Sequence, residues 1–281
     1  MSTRAAAARI SADEERTFYD AAYAVHLNAP DHALRIDRHI IEHELNDPGG
    51  TFYERRRLYG AVLAELLSQP LAGRTILDYG CGLGEWGVLM ATEGANAALM
   101  DLSPVAIRIA LRRAAASGVA ERVRGFAADA ASLACFSDGE FDLIYASAAV
   151  HHTLKYPNAL AELLRVLKPG GRLILAETYG NNRLLNGLRR MRWRFAGQPQ
   201  EAGEEIILSD RELDLLRPHF RRMEVRPMNL VAMAKRVFRG RFRSRLVRAA
   251  VGSLEAADRA LVTLWPGLGR YSGEVLVVAE K

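Results

Sequence analysis

The chain has 281 residues, of which 49% are hydrophobic and 25% charged, and this composition excludes intrinsic disorder. No run of 18 uncharged apolar residues occurs, and "MSTRAAAARISADEER" lacks the apolar stretch of a signal peptide, so we expect a soluble, cytoplasmic protein. Only Cys81 and Cys135 are present, neither in a C-x-x-C pair, and we expect no disulfide framework and no metal site. The net charge of +5 still admits nucleic acid, anionic lipid or an anionic ligand as partner.

The first 70 residues have a helical pattern rich in Ala, Leu, Arg and Glu. A helix is predicted from about Phe52 to Leu67, ending before Gln69-Pro70. We assign residues 1–70 to an N-terminal helical cover.

From Arg74 the pattern alternates between short apolar runs and longer helical segments. The predicted strands are "TILDYG", "NAALMD", "RVRGFAADA", "FDLIYAS" and "RLILAE", the last placed after the "KPGG" that ends a helix. Strands that alternate with crossover helices predict an α/β fold, a doubly wound parallel sheet with helices on both faces.

The last third of the chain is less regular. "SDRELDLLRPHF" predicts a helix with Ser209 as N-cap and Glu212 completing a capping box. Two late strands, "FRRMEVRPM" and "EVLVVAE", are separated by some forty helical, basic residues, a connection too long for a simple loop. We therefore divide the rest of the chain into a core, residues 71–228 and 272–281, and a helical basic insertion, residues 229–271.

The loop "DYGCGLGEWG" matches two cofactor patterns. Gly82 begins a G-x-G-x-x-G motif, but a dinucleotide fold needs its first glycine directly after the strand, and here the strand has already ended. Asp78 lies where a pyrophosphate would approach, and Glu85 adds a second negative charge. The loop therefore favours a cationic cofactor, which points to S-adenosylmethionine. Asp101 ends the second strand about twenty residues later, where a carboxylate accepts ribose hydroxyls, and Asp129 follows the third strand near the expected adenine.

Five segments, "ILDYGCGLGEWG", "LMDLSP", "AADA", "FDLIYASAAVHH" and "LLRVLKPGGRLILAE", together resemble the class I S-adenosylmethionine-dependent methyltransferase family, in its small-molecule branch of quinone, sterol and natural-product enzymes. The resemblance covers about Arg74 to Tyr179. It implies a Rossmann-like, seven-stranded sheet, mostly parallel with one antiparallel strand.

The resemblance also implies cofactor contacts. Gly80 and Gly82 would run beside the methionine moiety and Asp78 would fix their loop, while Asp101 would bind the ribose. The remaining implied contacts are Leu102 on the adenine face, Asp129 and Ala130 at its edge, Ala146 at the ammonium, and Tyr19 or Tyr23 in the helical cover that closes the site.

Methyl transfer needs a base only if the acceptor must lose a proton. His151 and His152 follow the fourth strand and Glu177 closes the fifth, all at the carboxyl edge of the sheet where ligands bind. We name these three as candidate catalytic residues and prefer His151, because the family often has a histidine there. Tyr179, Asn181 and Asn182 follow on a loop expected to border the acceptor pocket.

The predicted function is methyl transfer to the O, N or C atom of a small, lipophilic biosynthetic intermediate. The arginines of "RRMRWR" or of residues 235–248 would hold an anionic or phosphate group on that acceptor. Alternatively, residues 235–248 would form a basic amphipathic helix on an anionic membrane.

Two alternatives stay open, a nucleic-acid methyltransferase and a non-catalytic protein that binds S-adenosylmethionine. "ASAAVHHT" stands where nucleic-acid enzymes often have an Asn/Asp-Pro-Pro-aromatic motif, so no nucleic-acid partner is expected. The oligomeric state is left open.

Overall fold

A twisted seven-stranded sheet forms the centre of the part of the chain that the computed structural model describes, residues 12–129, 132–154, 156, 158–195 and 207–281. Its strands are β1 (Thr75–Tyr79), β2 (Asn96–Asp101), β3 (Val123–Ala127), β4 (Phe141–Ser147), β5 (Leu167–Thr178), β6 (Arg222–Met228) and β7 (Glu274–Glu280). Their order is β3-β2-β1-β4-β5-β7-β6, and β7 alone runs antiparallel to its neighbours. The predicted Rossmann-like fold with one antiparallel strand is confirmed.

Helices cover both faces of this sheet. In chain order they are α1 (Ala12–Ala24), α2 (Asp31–Leu34), α3 (Arg38–Asn46), α4 (Arg56–Leu66), α5 (Glu85–Thr92), α6 (Pro104–Ala116), α7 (Val150–Thr153), α8 (Ala159–Val166), α9 (Arg183–Phe195), α10 (Asp210–Leu216) and α11 (Arg245–Leu264). Turns of 3₁₀ helix include Tyr53–Arg55 before α4 and the pair that flanks α11, Val231–Phe238 and Pro266–Tyr271. The predicted capping box of Ser209 and Glu212 starts α10.

The core lies on the two faces of the central strands. Ile76 of β1 packs against α4 and α5, while its neighbour Leu77 packs on the opposite face with residues of α8 and α10. Both faces of β1 are therefore buried, which explains why "TILDYG" is apolar without the alternation of a half-exposed strand.

Strand β5 is longer than predicted. The predicted strand begins at Arg172, but the observed strand begins at Leu167, which pairs with Phe141 of β4. Backbone hydrogen bonds from Gly170 to Lys281 and from Lys281 to Gly171 fix this extension to the last residue of the chain. This extension could not be predicted from the local pattern of "KPGG", because the residue with which it pairs lies 110 residues away.

The basic segment 235–248 does not form the predicted amphipathic helix. A 3₁₀ helix ends at Phe238, Gly240 has a φ of 79°, and α11 begins only at Arg245. Phe242 is buried against Tyr53 and Val251. Arg236 and Arg239 both pair with Glu54, so part of the positive charge of this segment is neutralised within the protein.

Three consecutive arginines join α4 and the turn before it to the end of the chain. Arg55 contacts Glu274 at 2.8 Å, Arg56 contacts Glu255 at 2.7 Å, and Arg57 contacts Asp258 at 2.6 Å. The three carboxylates are buried. The insertion is thus held to the N-terminal segment by buried ion pairs, and the division into cover, core and insertion stays a prediction from the sequence.

Candidate functional site

A cavity of about 530 Å³ opens at the carboxyl ends of β1, β2 and β4, where the strand order reverses. This is the edge at which open α/β sheets bind ligands, and the volume suits a small molecule. The predicted residues that line the cavity are Tyr19, Asp78, Gly80, Gly82, Asp101, Leu102, Asp129, His151 and His152. Ala130 lies outside the described residues.

Two of the predicted contacts lie elsewhere in the structure. Ala146 is buried inside the sheet, opposite Tyr79 of β1, and the cavity is lined instead by the next three residues of the chain, from Ser147 to Ala149. The side chain of a residue inside a central strand packs against a helix, so contact with a ligand passes to the loop beyond. Glu177 is fully buried behind His151.

The loop expected to border the acceptor pocket turns away from the cavity. Tyr179 is buried and its hydroxyl donates to Asp210, while the side-chain amide of Asn182 donates to the carbonyl of Tyr271 at 3.0 Å. Neither residue, nor Asn181, is among the described lining residues. The expectation for these three residues was wrong, because their partners come from distant segments of the chain.

The glycine loop fits closely against its surroundings. Gly80 has a φ of 69°, and a Cβ added there would lie 2.4 Å from the Cβ of Ala149. Gly82 has a φ of 52°, and its added Cβ would lie 3.3 Å from the hydroxyl of Tyr23 on α1. Only glycine adopts such angles without strain, and its missing side chain leaves the backbone of the loop exposed to the cavity.

Asp78 and Asp101 hold this loop in place. One carboxylate oxygen of Asp78 accepts the N–H of Gly87 at 2.8 Å. Asp101 accepts the N–H groups of Gly82 and Ser103, each at 2.9 Å. Burial, with a smaller contribution from the nearby carboxylates, raises the pKa of Asp78 to about 7, and burial also raises the pKa of Asp101.

The cavity is strongly acidic. Glu15, Glu85 and Asp129 line it together with Asp78 and Asp101, and its described lining residues include no lysine or arginine. In a space of reduced dielectric constant, these carboxylates favour a bound cation and oppose a pyrophosphate. The electrostatics therefore agree with the predicted preference for a cationic cofactor.

His151 and Glu177 form a buried pair at the end of β4 and β5. Nδ1 of His151 lies 2.7 Å from one oxygen of Glu177, and the other oxygen accepts the N–H groups of Ala149 and Val150, each at 2.9 Å. Burial alone would raise the pKa of Glu177, but His151 and these amides hold it below its ordinary value. An ionised Glu177 that accepts from Nδ1–H leaves Nε2 as the nitrogen of His151 that takes up a proton.

His152 connects the cavity to the helical cover. Its Nε2 lies 3.2 Å from the hydroxyl of Tyr19, and its Nδ1 lies 3.2 Å from Glu15, both on α1. A second contact, in which Ser103 donates to Asp20 at 2.5 Å, fixes α1 to the start of α6. Helix α1 therefore lies against the cavity.

An aromatic wall, made of Phe52, Tyr59, Trp86 and Tyr145, lines the side of the cavity beside Ser147. Tyr59 and Trp86 are stacked with ring centroids 5.5 Å apart, and Phe52 and Tyr145 contact Trp86 at 5.4 and 5.9 Å. The Tyr59 hydroxyl lies 3.3 Å from the Ser147 hydroxyl. The sequence analysis did not single out this wall, although Phe52 and Tyr59 lie seven residues apart on one predicted helix, which is the spacing of a single face.

The fold and the cavity define a Rossmann-like α/β protein with its ligand site at the switch point of the sheet. Residues 76–171 match the family model described as "Methyltransferase domain". The demethylmenaquinone methyltransferase of Clavibacter sepedonicus is 37% identical over 108 residues, which cover 38% of this chain and 42% of that protein. The 27-O-demethylrifamycin SV methyltransferase of Amycolatopsis mediterranei is 37% identical over 136 residues, 47% of this chain and 48% of that protein.

The fold of the chain resembles that of solved methyltransferase structures over almost its whole length. The geranyl diphosphate C-methyltransferase of Streptomyces coelicolor, in complex with Mg²⁺, geranyl diphosphate and S-adenosyl-L-homocysteine, superposes with a TM-score of 0.55 at 18% identity, covering 98% of this chain and 99% of that one. The alignments to the two curated relatives span less than half the length of each. The similarity to methyltransferases thus lies in residues 76–171, which contain the acid–glycine loop and Asp101.

Proposed function

We propose that the protein transfers a methyl group from S-adenosylmethionine to a small, lipophilic and uncharged acceptor. The observation that carries the proposal is a single cavity that joins the acid–glycine loop, Asp101 and Asp129 to the buried pair of His151 and Glu177. The cofactor side and the base side of a methyl transfer thus meet in one space.

The described residues fit this cofactor. The backbone of Gly80 and Gly82 faces the cavity, where an added Cβ would collide with Ala149 or crowd Tyr23. Asp101 and Asp129 both line the cavity, where Asp101 would accept the ribose hydroxyls and Asp129 would bind the adenine edge, while the surrounding carboxylates would attract the cationic end. When bound, S-adenosylmethionine supplies an activated methyl group on a sulfonium.

The aromatic wall supports an uncharged, lipophilic acceptor. Rings that stack and bury large apolar area favour planar or isoprenoid groups, and the hydroxyls of Tyr59 and Ser147 offer hydrogen bonds to an acceptor oxygen. Relatives named for demethylmenaquinone and 27-O-demethylrifamycin SV suggest such acceptors. A diphosphate like that of the structural neighbour is less well supported, because no lysine or arginine is among the described residues of the cavity wall.

In this proposal the chain contributes a base and a fixed geometry. Glu177 orients His151 so that Nε2 takes the proton from an acceptor hydroxyl or amine. The aromatic wall and α1 exclude water and hold the acceptor in line, and such positioning supplies much of the rate in a displacement.

The experiment that tests the function has two stages. Calorimetry is expected to show binding of S-adenosylmethionine to the wild type and at least tenfold weaker binding to Asp101→Ala, since the ribose loses its acceptor. A labelled methyl donor is then offered with demethylated quinones and with geranyl diphosphate in parallel. Transfer to the diphosphate alone would refute the uncharged acceptor, and absence of cofactor binding would refute the proposal altogether.

Cofactor affinity should depend on pH through Asp78. With a pKa of about 7 the carboxyl is mostly protonated at pH 6, and a bound cation favours its ionised form. We expect affinity to rise by up to about tenfold between pH 6 and pH 8 and then to level off. Asp78→Asn should remove most of this rise in calorimetric titrations, and an equal rise in both proteins would show that another group is responsible.

A further inference from the structure

An exposed apolar stripe runs along α9. Leu184, Leu188 and Met191 are 75%, 49% and 50% exposed, although a soluble helix normally turns such residues inward. On the opposite side of the helix, Arg189 is buried and donates to the carbonyls of Tyr179 and Gly273. The orientation of α9 is therefore fixed by the protein, with its apolar stripe facing outward.

The sequence of α9 is strongly basic. Successive helical residues turn by about 100°, which places positions 184, 188 and 191 within about 60° of one another. Five of the thirteen residues in the sequence of α9 are arginines, and none is acidic.

A second group of exposed apolar residues adjoins α9. Leu264 ends α11, Trp265 follows it, and Tyr271 ends the next 3₁₀ helix; the three are 67%, 57% and 43% exposed. The hydrogen bond from Asn182 to the carbonyl of Tyr271 joins this group to the start of α9. Arg270 lies over the ring of Tyr271 and pairs with Asp210 at 3.1 Å.

We infer that this surface, formed by Leu184, Leu188, Met191, Leu264, Trp265 and Tyr271 and here called the apolar edge, binds an anionic lipid bilayer. Apolar side chains on one helical face, flanked by arginines, are typical of helices that lie in a membrane interface, and Trp and Tyr are enriched at that depth. Charge complementarity with anionic headgroups favours a bilayer over a second copy of this basic chain. No helix in the described ranges is long and apolar enough to cross a bilayer, so the contact would be peripheral.

The apolar edge lies at the same end of the sheet as the cavity. α9 begins five residues after the end of β5, the strand that carries Glu177 of the buried pair with His151. A protein resting on a bilayer through the apolar edge would therefore hold the cavity near the lipid phase, where a lipophilic acceptor is dissolved. Membrane binding through the apolar edge goes beyond the proposed function and does not depend on it, whereas the access of a lipophilic acceptor rests on that function.

The test is sedimentation of the full-length protein with vesicles. We expect binding to vesicles of equal parts phosphatidylglycerol and phosphatidylcholine, and binding weaker by about tenfold or more to phosphatidylcholine alone or at high salt. The variant Leu184→Ser/Leu188→Ser/Met191→Ser should lose at least tenfold in partition coefficient, because the apolar area that enters the interface is removed. All three side chains are exposed, so thermal unfolding should be nearly unchanged.

Leu246→Ser serves as the matched control. Leu246 is 83% exposed but lies near the start of α11, about 27 Å along the helix from Leu264. Leu246→Ser should change vesicle binding less than twofold.

A second measurement uses fluorescence. Trp265→Phe should reduce the shift in tryptophan emission that vesicles cause. The inference is overturned if the wild-type protein does not bind anionic vesicles, or if the triple variant binds them as the wild type does. It is also overturned if vesicle binding is absent and the triple variant abolishes a dimer, because the apolar edge would then bind a second copy of the chain. Calorimetry with S-adenosylmethionine is read separately, so failure of this inference leaves the proposed function standing.

Discussion

Glu177→Gln is expected to lower kcat for methyl transfer by about 10²–10⁴ while leaving the affinity for S-adenosylmethionine within roughly twofold. The glutamine still accepts the N–H groups of Ala149 and Val150 through one oxygen. Its amide, however, presents a donor to Nδ1 of His151, which forces the other imidazole tautomer and removes the base from Nε2. Single-turnover assays with an acceptor that must lose a proton would measure this effect directly.

Two further variants show whether the pair acts as a unit. His151→Ala should lose about as much activity as Glu177→Gln, and the double variant should lose little more, because residues that act together are not additive. His152→Ala should instead weaken cofactor binding, since His152 contacts Tyr19 and Glu15 of the cover. Undiminished kcat in both His151→Ala and Glu177→Gln would mean that the acceptor reacts without a base.

Glu274→Ala is expected to reduce the free energy of unfolding by about 3–5 kcal/mol, or to lower Tm by roughly 10 °C. Glu274 is only 1% exposed and accepts from Arg55 at 2.8 Å, from Arg236 at 3.2 Å and from Asn229 at 2.5 Å. Its removal leaves two guanidinium groups without their buried anion, and that penalty is larger than the net contribution of an intact pair. Urea unfolding followed by circular dichroism gives the measurement.

Asp138→Asn is the matched control for this prediction. Asp138 also pairs with an arginine, Arg165 at 2.7 Å, but its side chain is 82% exposed, and the expected change is within about 0.5 kcal/mol. The pKa of Glu274 is held below its ordinary value of 4.5 by its cations against the opposing effect of burial. The stability that it contributes is therefore complete at neutral pH and declines as the pH falls below about 4.5, so the difference between wild type and variant should shrink in acid. Equal losses in both variants would argue against a special role for burial.

The sequence was most informative where function depends on short, local patterns. Asp78, Gly80 and Gly82 lie within five residues of one another, and Asp101 ends a strand whose pattern is plain, so it could be predicted that these four residues meet at one edge of the sheet. The sequence predicted that Glu177 lies at the carboxyl edge of the sheet, and this is correct. Its contact with His151 was not predicted. A strand pattern predicts where a carboxylate lies along the chain. It does not predict which residue will lie between that carboxylate and the cavity, and in this structure that residue is His151.

Features built from distant segments could not be predicted. The aromatic wall combines Phe52 and Tyr59 from one helical segment, Trp86 from α5 and Tyr145 from β4, which become neighbours only through the strand order of the sheet. The exposed stripe on α9 was missed for a related reason. A sequence shows that Leu184, Leu188 and Met191 share a face, and only the burial of Arg189 on the opposite side shows that this face points outward.

The arginines at positions 55 to 57 meet carboxylates that follow them by 219, 199 and 201 residues respectively. During synthesis on the ribosome, α4 is complete long before any of these carboxylates has been made. At typical rates of synthesis of about 5–20 residues per second, the carboxylates that pair with this cationic segment are made on the order of ten seconds or more after it. The sheet around β1, β2 and β4 is able to form in that interval, whereas closure of the insertion onto α4 must come late and across a long loop. Folding of this chain should therefore end with the joining of its two ends, and a kinetic intermediate with a formed sheet and an open insertion is the state most exposed to aggregation.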